Sequence, residues 1–235
     1  MKTIGIMGGM RWQASATYYR VINLEINKRL GGSHSAKLIL DSLDFHPIDT
    51  AKSPEQRRQV GELLVESALR LERAGADELV IACNTVHRLA QPIVNAISIP
   101  LLHIADPAGQ ALANDGHKCV GLLGTRATME GAFYKTRLAR NFKLDVRVPD
   151  AATQASVDAL VQNELAGTSP QSCAEPLDLV VSDLQKQGCT AVLLACTELG
   201  LAYGGGDSAV RTRELPLYDT AILHALAAVE NSIGL

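Results

Sequence analysis

The chain repeats itself. Within its 235 residues, Thr3-Ile4-Gly5-Ile6-Met7-Gly8 returns 116 positions later as Cys119-Val120-Gly121-Leu122-Leu123-Gly124. Ala16-Thr17-Tyr18 returns as Ala132-Phe133-Tyr134 at the same offset. Val80-Ile81-Ala82-Cys83-Asn84-Thr85 returns as Leu193-Leu194-Ala195-Cys196-Thr197-Glu198 at an offset of 113. Ile99-Pro100-Leu101-Leu102 returns as Leu215-Pro216-Leu217-Tyr218, again at 116. Four landmarks in one order mark an internal duplication of a unit of about 115 residues. The expected division is 1–116 and 117–235, with the last helix of the first part able to cross over.

Within each half, short apolar runs alternate with longer amphipathic ones, which is the pattern of an α/β protein with parallel sheet. Strands are expected at 3–7, 37–43, 78–82 and 99–103, and helices at 13–30, 54–74, 85–96 and 107–115. Ser53-Pro54-Glu55-Gln56 opens the second helix: Ser53 caps it, Pro54 occupies its first turn and Gln56 closes a capping box. Gly31-Gly32 reads as a glycine stop for the first helix. The stretch 167–170 and the three glycines 204–206 read as loops. The fold class is therefore α/β, two Rossmann-like lobes with parallel sheets related by a pseudo-twofold. Ligands bind beyond the carboxyl ends of such strands, which puts the expected active site in the inter-lobe cleft.

Composition removes several function classes. Charged residues make up 20% and the net charge is −3, with no block of like charge to serve as a polyanion footprint. Aromatics are only 4%, which leaves few stacking platforms for bases. No nucleic-acid partner is expected. The first apolar run is too short and glycine-rich for a signal peptide or membrane helix, so a cytoplasmic location and no membrane partner are expected. The five cysteines are odd in number and form no C-x-x-C pair, so they read as thiols rather than a disulfide framework.

Two of those thiols fall on duplicated positions. Cys83 and Cys196 each end an apolar strand and precede an expected helix, whose first N–H groups and dipole would lower a thiol pKa. A single cysteine at such a place is most often a small core residue; two at equivalent places make a two-base site. One thiolate removes a proton from one face of a carbon and the other thiol returns one to the opposite face. That is the chemistry of a cofactor-independent racemase. Removing a proton beside a carboxylate also needs donors aimed at the developing charge, and Asn84, Thr85 and Thr197 are of that type.

On Gly8-Gly9-Met10 with Trp12, Cys83-Asn84-Thr85, Leu123-Gly124-Thr125 with Thr128, and Cys196-Thr197-Glu198, the chain resembles the aspartate/glutamate racemase family. The resemblance lies with its aspartate and broad-specificity amino-acid branch, and it runs from Ile4 to the last helix. Cys-Thr-Glu stands where glutamate racemases usually carry Cys-Thr-His. The resemblance implies pyridoxal-independent racemisation of an amino acid by Cys83 and Cys196 in a homodimer, without a cofactor. It further implies that Met10, Asn84, Thr85, Thr125 and Thr197 contact the substrate; Glu198 reads as an orienting group behind it, and Arg11, Gln13 and His87 are further candidates for supporting places. The first loop departs from the family's Gly-Gly-Met-Ser-Trp-Glu-Ser, reading Gly8-Gly9-Met10-Arg11-Trp12-Gln13-Ala14. The arginine that some aspartate racemases carry after strand two is missing from 44–50, and the lysine some carry before a Glu-Leu pair is missing before Glu164-Leu165.

Other chemistries compete for the same residues. Maleate cis-trans isomerisation, arylmalonate-type decarboxylation and hydantoin racemisation reuse similar cysteines. A cysteine hydrolase would want a glycine-flanked elbow and an oriented His, and Ala82-Cys83-Asn84 offers no such glycines. Gly5-x-x-Gly8-Gly9 is not the spacing of a dinucleotide loop. Cys83-x-x-x-His87 has one-turn spacing and with Cys196 could ligate zinc, but no supporting carboxylate is identifiable and a His at a helix start is more often a packing or capping residue, so no metal is expected. His46, His103 and His224 fall near strand ends or helix starts and could border a cleft. A two-lobed solute-binding protein would tolerate loss of both cysteines, and a racemase would not.

Overall fold

The computed structural model describes residues 1–164 and 170–234. The loop expected at 167–170 lies outside the described residues except for its last position, which opens a 3-10 turn, Pro170–Cys173.

Contacts divide the chain into two compact units, residues 1–103 with 224–235, and residues 104–223. In the first, β1 (Ile4–Gly8) leads to α1 (Trp12–Leu30), β2 (Leu38–Ser42), the short α2 (His46–Asp49), α3 (Pro54–Arg73), β3 (Glu78–Ile81), α4 (Ala90–Ala96) and β4 (Leu101–Leu102). The sheet order is β2-β1-β3-β4, all parallel. The capping box forms as expected: Ser53 Oγ accepts from the Gln56 N–H at 3.1 Å, and Gln56 Oε1 accepts from the Ser53 N–H at 3.0 Å. Val60, Leu64, Ala68 and Leu71 of α3 are buried on one helical face against Met7, Leu79 and Ile81 of the sheet. Gly31 ends α1 in the positive-φ region, its N–H on the Asn27 carbonyl. The helix expected over 85–96 is two pieces, a 3-10 turn at Thr85–Leu89 and then α4.

The second unit holds α5 (Ala105–Asn114), β5 (Cys119–Gly124), α6 (Arg126–Glu130), α7 (Ala132–Phe142), β6 (Asp145–Arg147), α8 (Ala151–Ala159), α9 (Ala174–Lys186), β7 (Ala191–Ala195), α10 (Leu199–Ala202), β8 (Val210–Arg211), β9 (Leu217–Asp219) and the start of α11 (Thr220–Ile233). Its sheet order is β6-β5-β7-β9-β8, parallel except for the β8 edge. Without that edge the order matches the first sheet strand for strand. The registers match as well. Met7 pairs with Ile81 and Leu123 with Leu194; Leu79 pairs with Leu101 and Val192 with Leu217. The offsets of 116 and 113 are therefore one repeat, with three residues fewer ahead of β7.

Helix α5 belongs to the second unit. Ala105, Ala108 and Leu112 pack with Leu122 and Leu138, and Gly109 gives room to the Phe142 ring, which a side chain there would strike. The last turns of α11 belong to the first unit. The Lys2 N–H donates to the Ser232 carbonyl, Asn231 donates to Glu78, and Arg29 pairs with Glu230 at 3.3 Å. Among the described residues, no helix is long and apolar enough to cross a membrane.

Candidate active site

In the first unit the carboxyl ends of β1 and β3 carry the expected residues. Gly9 follows β1 at φ +82, and a side chain there would run into the Leu43 backbone, so only glycine closes this turn. Its N–H donates to Ser15 Oγ at 2.8 Å. Met10 is buried in the cluster that includes Leu43 and Ile48. Arg11 and Gln13 are half-buried at the start of α1, and Trp12 is 67% exposed. Cys83 lies two residues past β3, half-buried, with Asn84 buried and Thr85 half-buried beside it.

Behind Cys83 stands a buried group of histidines. His87 Nδ1 lies 2.8 Å from the Cys83 carbonyl oxygen. A carbonyl only accepts, so the Nδ1–H tautomer is fixed and the ring holds the Cys83 backbone. The His87 and His103 rings are 4.6 Å apart, and His224 stacks edge-on to His87 at 5.8 Å. His224 Nε2–H donates to the Leu102 carbonyl at 2.9 Å, which leaves Nδ1 to accept from the Tyr18 hydroxyl at 2.7 Å. Burial, and after it the charge of His87, pushes His224 down to about 3. His224 is thus a neutral structural ring at ordinary pH.

In the second unit Cys196 directly follows β7 and is buried. Its thiol donates to Glu198 Oε2 at 2.8 Å, and the Thr197 hydroxyl donates to the same oxygen at 2.8 Å. Glu198 is itself buried. Thr125 precedes α6 at the end of β5, and its hydroxyl shares a 3.1 Å hydrogen bond with that of Thr128. One turn beyond Cys196, the position equivalent to His87 is Gly200. A side chain on it would strike the carboxylate of Asp219. Asp219 pairs with Arg211 at 3.1 Å, both almost wholly buried, and burial pushes its carboxyl up against the opposing pull of that guanidinium. Asp219 Oδ1 also accepts from the Ala221 and Ile222 N–H groups, capping α11.

The structure corrects the electrostatic argument made from sequence. No long helix starts at either cysteine: a five-residue 3-10 turn follows Cys83 and the four-residue α10 follows Cys196. The local partners differ between the halves, with a histidine on the Cys83 backbone and a carboxylate on the Cys196 thiol. Sequence reasoning marked His103 and His224 singly but missed the cluster, and it missed Asp219 with Arg211. Extending the 116 offset by one residue past Leu102 and Tyr218 places His103 opposite Asp219. Among the described residues, no three His, Cys, Asp or Glu side chains are grouped to hold a metal ion.

The profile of the Asp/Glu/Hydantoin racemase family matches residues 7–228. The chain is 31% identical over 232 residues to the broad-specificity amino-acid racemase RacX of Bacillus subtilis, covering 98% of each chain. It superposes on the crystal structure of a candidate Asp/Glu racemase from Yersinia pestis with a TM-score of 0.86, 35% identity and coverage of 99% of this chain and 100% of that one. PH1733, an aspartate racemase homologue from Pyrococcus horikoshii, gives a TM-score of 0.82 and 28% identity over 99% of this chain and 100% of that one.

Proposed function

From the premise that the chain belongs to the Asp/Glu/Hydantoin racemase family, we propose that it interconverts L- and D-amino acids by two-base proton transfer between Cys83 and Cys196. The observation that carries this reading is the placement of the two thiols. Each stands just past the third strand of its repeat, in sheets with the same strand order and the same register. Both thiols also pack against the apolar clusters of their units, so the support comes from the repetition of a thiol at both strand ends rather than from either position alone.

The local partners favour one resting state. The Cys196 thiol donates its hydrogen to Glu198, and a carboxylate beside a sulfur disfavours a second negative charge there. Cys196 is therefore the resting acid and Cys83 the resting base. Cys83 takes the α-proton as its S–H bond forms and the Cα–H bond breaks. The electron pair left on carbon spreads into the substrate carboxylate, where Asn84, Thr85, Thr125 and Thr197 are of the right type to donate to it. Cys196 then delivers its proton to the opposite face and becomes the thiolate. The opposite enantiomer runs the sequence in reverse. His87 steadies the Cys83 backbone, and Glu198 holds the Cys196 proton until it is needed. No cofactor takes part, and the enzyme works as a homodimer in the cytoplasm.

The substrate range follows the broad-specificity relative rather than a strict aspartate enzyme. The stretch 44–50 carries no arginine for a side-chain carboxylate, and it forms the short α2. The test is α-proton exchange in D₂O, read by NMR over a panel of L- and D-amino acids, for the wild type, Cys83→Ser and Cys196→Ser. Exchange with inversion in the wild type and its loss in both variants supports the reading. Retained racemisation in either variant, or silence of the wild type on every amino acid, overturns it.

A further inference from the structure

Three cysteines take no part in the site above. Cys173 is wholly buried in the core of the second unit. The other two stand together, the Cys119 thiol donating to the Cys189 sulfur at 3.9 Å. The backbone fixes their approach. Cys119 opens β5, and Thr190, next to Cys189, donates its N–H to the Cys119 carbonyl at 2.9 Å and its hydroxyl to the same oxygen at 3.3 Å. Both sulfurs lie at the amino edge of the sheet, whereas Cys196 follows the carboxyl end of β7. Over the seven residue steps from Cys189 to Cys196, an extended chain covers about 23 Å.

The two sulfurs are unequal. Cys119 is half-buried, whereas Cys189 is 3% exposed. The Arg147 guanidinium lies beside the Cys119 thiol and is also forked onto Asp145 at 2.7 and 2.9 Å. Burial, with Cys119 next to it, pushes the Cys189 thiol up to about 12. A more exposed sulfur in contact with a buried one has the arrangement of an attacking and a resolving thiol.

We propose that Cys119 and Cys189 are a modification site for hydroperoxides, oxidised as a pair to an intrachain disulfide. In the first step the Cys119 sulfur attacks one oxygen of hydrogen peroxide. The S–O bond forms as the O–O bond breaks, sulfur loses two electrons and the other oxygen leaves as water, giving a sulfenic acid. In the second step the Cys189 sulfur attacks that sulfur, its proton leaves with the hydroxyl as a second water, and the S–S bond forms. Two thiols and one peroxide give one disulfide and two waters. A dithiol reductant returns the pair to its starting state. The site is independent of the racemase reading, because neither sulfur belongs to the proton-transfer pair.

The test treats the intact wild-type chain with a few equivalents of hydrogen peroxide, alkylates the remaining thiols and maps the peptides by mass spectrometry. The expected product is the Cys119 peptide joined to the Cys189 peptide, lighter by two hydrogens than the pair and released by dithiothreitol. Cys173 should remain alkylated, and non-reducing electrophoresis should show a monomeric chain. In Cys189→Ser, dimedone should trap a sulfenic acid on Cys119; in Cys119→Ser, Cys189 should stay alkylatable. If both thiols remain alkylatable after Cys83 or Cys196 has oxidised, if Cys189 joins another cysteine, or if the link runs between chains, the proposal is overturned.

Discussion

Replacing His224 with glutamine should cost stability at neutral pH and return much of that cost in acid. His224 is neutral and wholly buried, with Nε2–H on the Leu102 carbonyl and Nδ1 accepting from Tyr18. Its pKa falls from the usual 6.5 to about 3. Between those values the unfolded chain holds a proton on this ring that the folded chain does not, so stability drops as pH falls through the interval. At about 1.36 kcal/mol per pH unit, the 1.5 units between 6.5 and pH 5.0 amount to about 2 kcal/mol. Glutamine does not titrate, so the variant lacks this loss. At pH 7.5 it should be less stable than wild type by about 1–3 kcal/mol, because Tyr18 and the Leu102 carbonyl lose well-placed partners. The assay is urea unfolding of both proteins at pH 7.5 and 5.0, followed by circular dichroism. The gap between them should narrow by about 2 kcal/mol on acidification, since titrations elsewhere cancel in the difference. A gap that stays constant to within about 0.5 kcal/mol would refute the assignment of a buried neutral imidazole.

Two further perturbations test other parts of the structure. Ser53→Ala removes the acceptor of the capping box at the start of α3 and should cost about 1 kcal/mol, or about 2–4 °C in Tm by calorimetry; an unchanged Tm would contradict the cap. Glu198→Gln replaces the charged acceptor of the Cys196 thiol with a neutral one. A hydrogen bond to a charged group contributes about 1.5–3 kcal/mol, so kcat/KM should fall by about one to two orders of magnitude. The fall must be equal for both enantiomers, because a racemase has an equilibrium constant of unity. Polarimetry from each enantiomer reads it, and an unaltered kcat/KM would remove Glu198 from the account.

What the sequence disclosed was mostly local or repeated. The Ser53 capping box was legible because its partners lie three residues apart and depend on one turn of helix. The parallel strands and the place of both thiols at equivalent strand ends were legible because the duplication repeats the same apolar runs. What escaped depended on loop shape and on packing between distant segments. The Cys196–Glu198 contact spans two residues, but it forms only because the chain turns directly after β7. His87, His103 and His224 meet across more than a hundred residues, and no period in the sequence links them. The repeat suggested a boundary at 116/117 with the helix before it, α5, able to cross over, because a repeat carries no record of which sheet a helix covers. Ala105, Ala108 and Leu112 are apolar in a way that suits either.

The central claim is that two different groups handle the proton, one on each face of the α-carbon. It is tested most directly by following a protiated L-amino acid in D₂O during the first few per cent of conversion. If one cysteine removes the proton and the other delivers a solvent-derived one, the D-product carries one deuterium at Cα while the recovered L-substrate remains protiated. Deuterium appearing in recovered substrate as fast as in product would mean that one group serves both faces, and the two-cysteine account would fall.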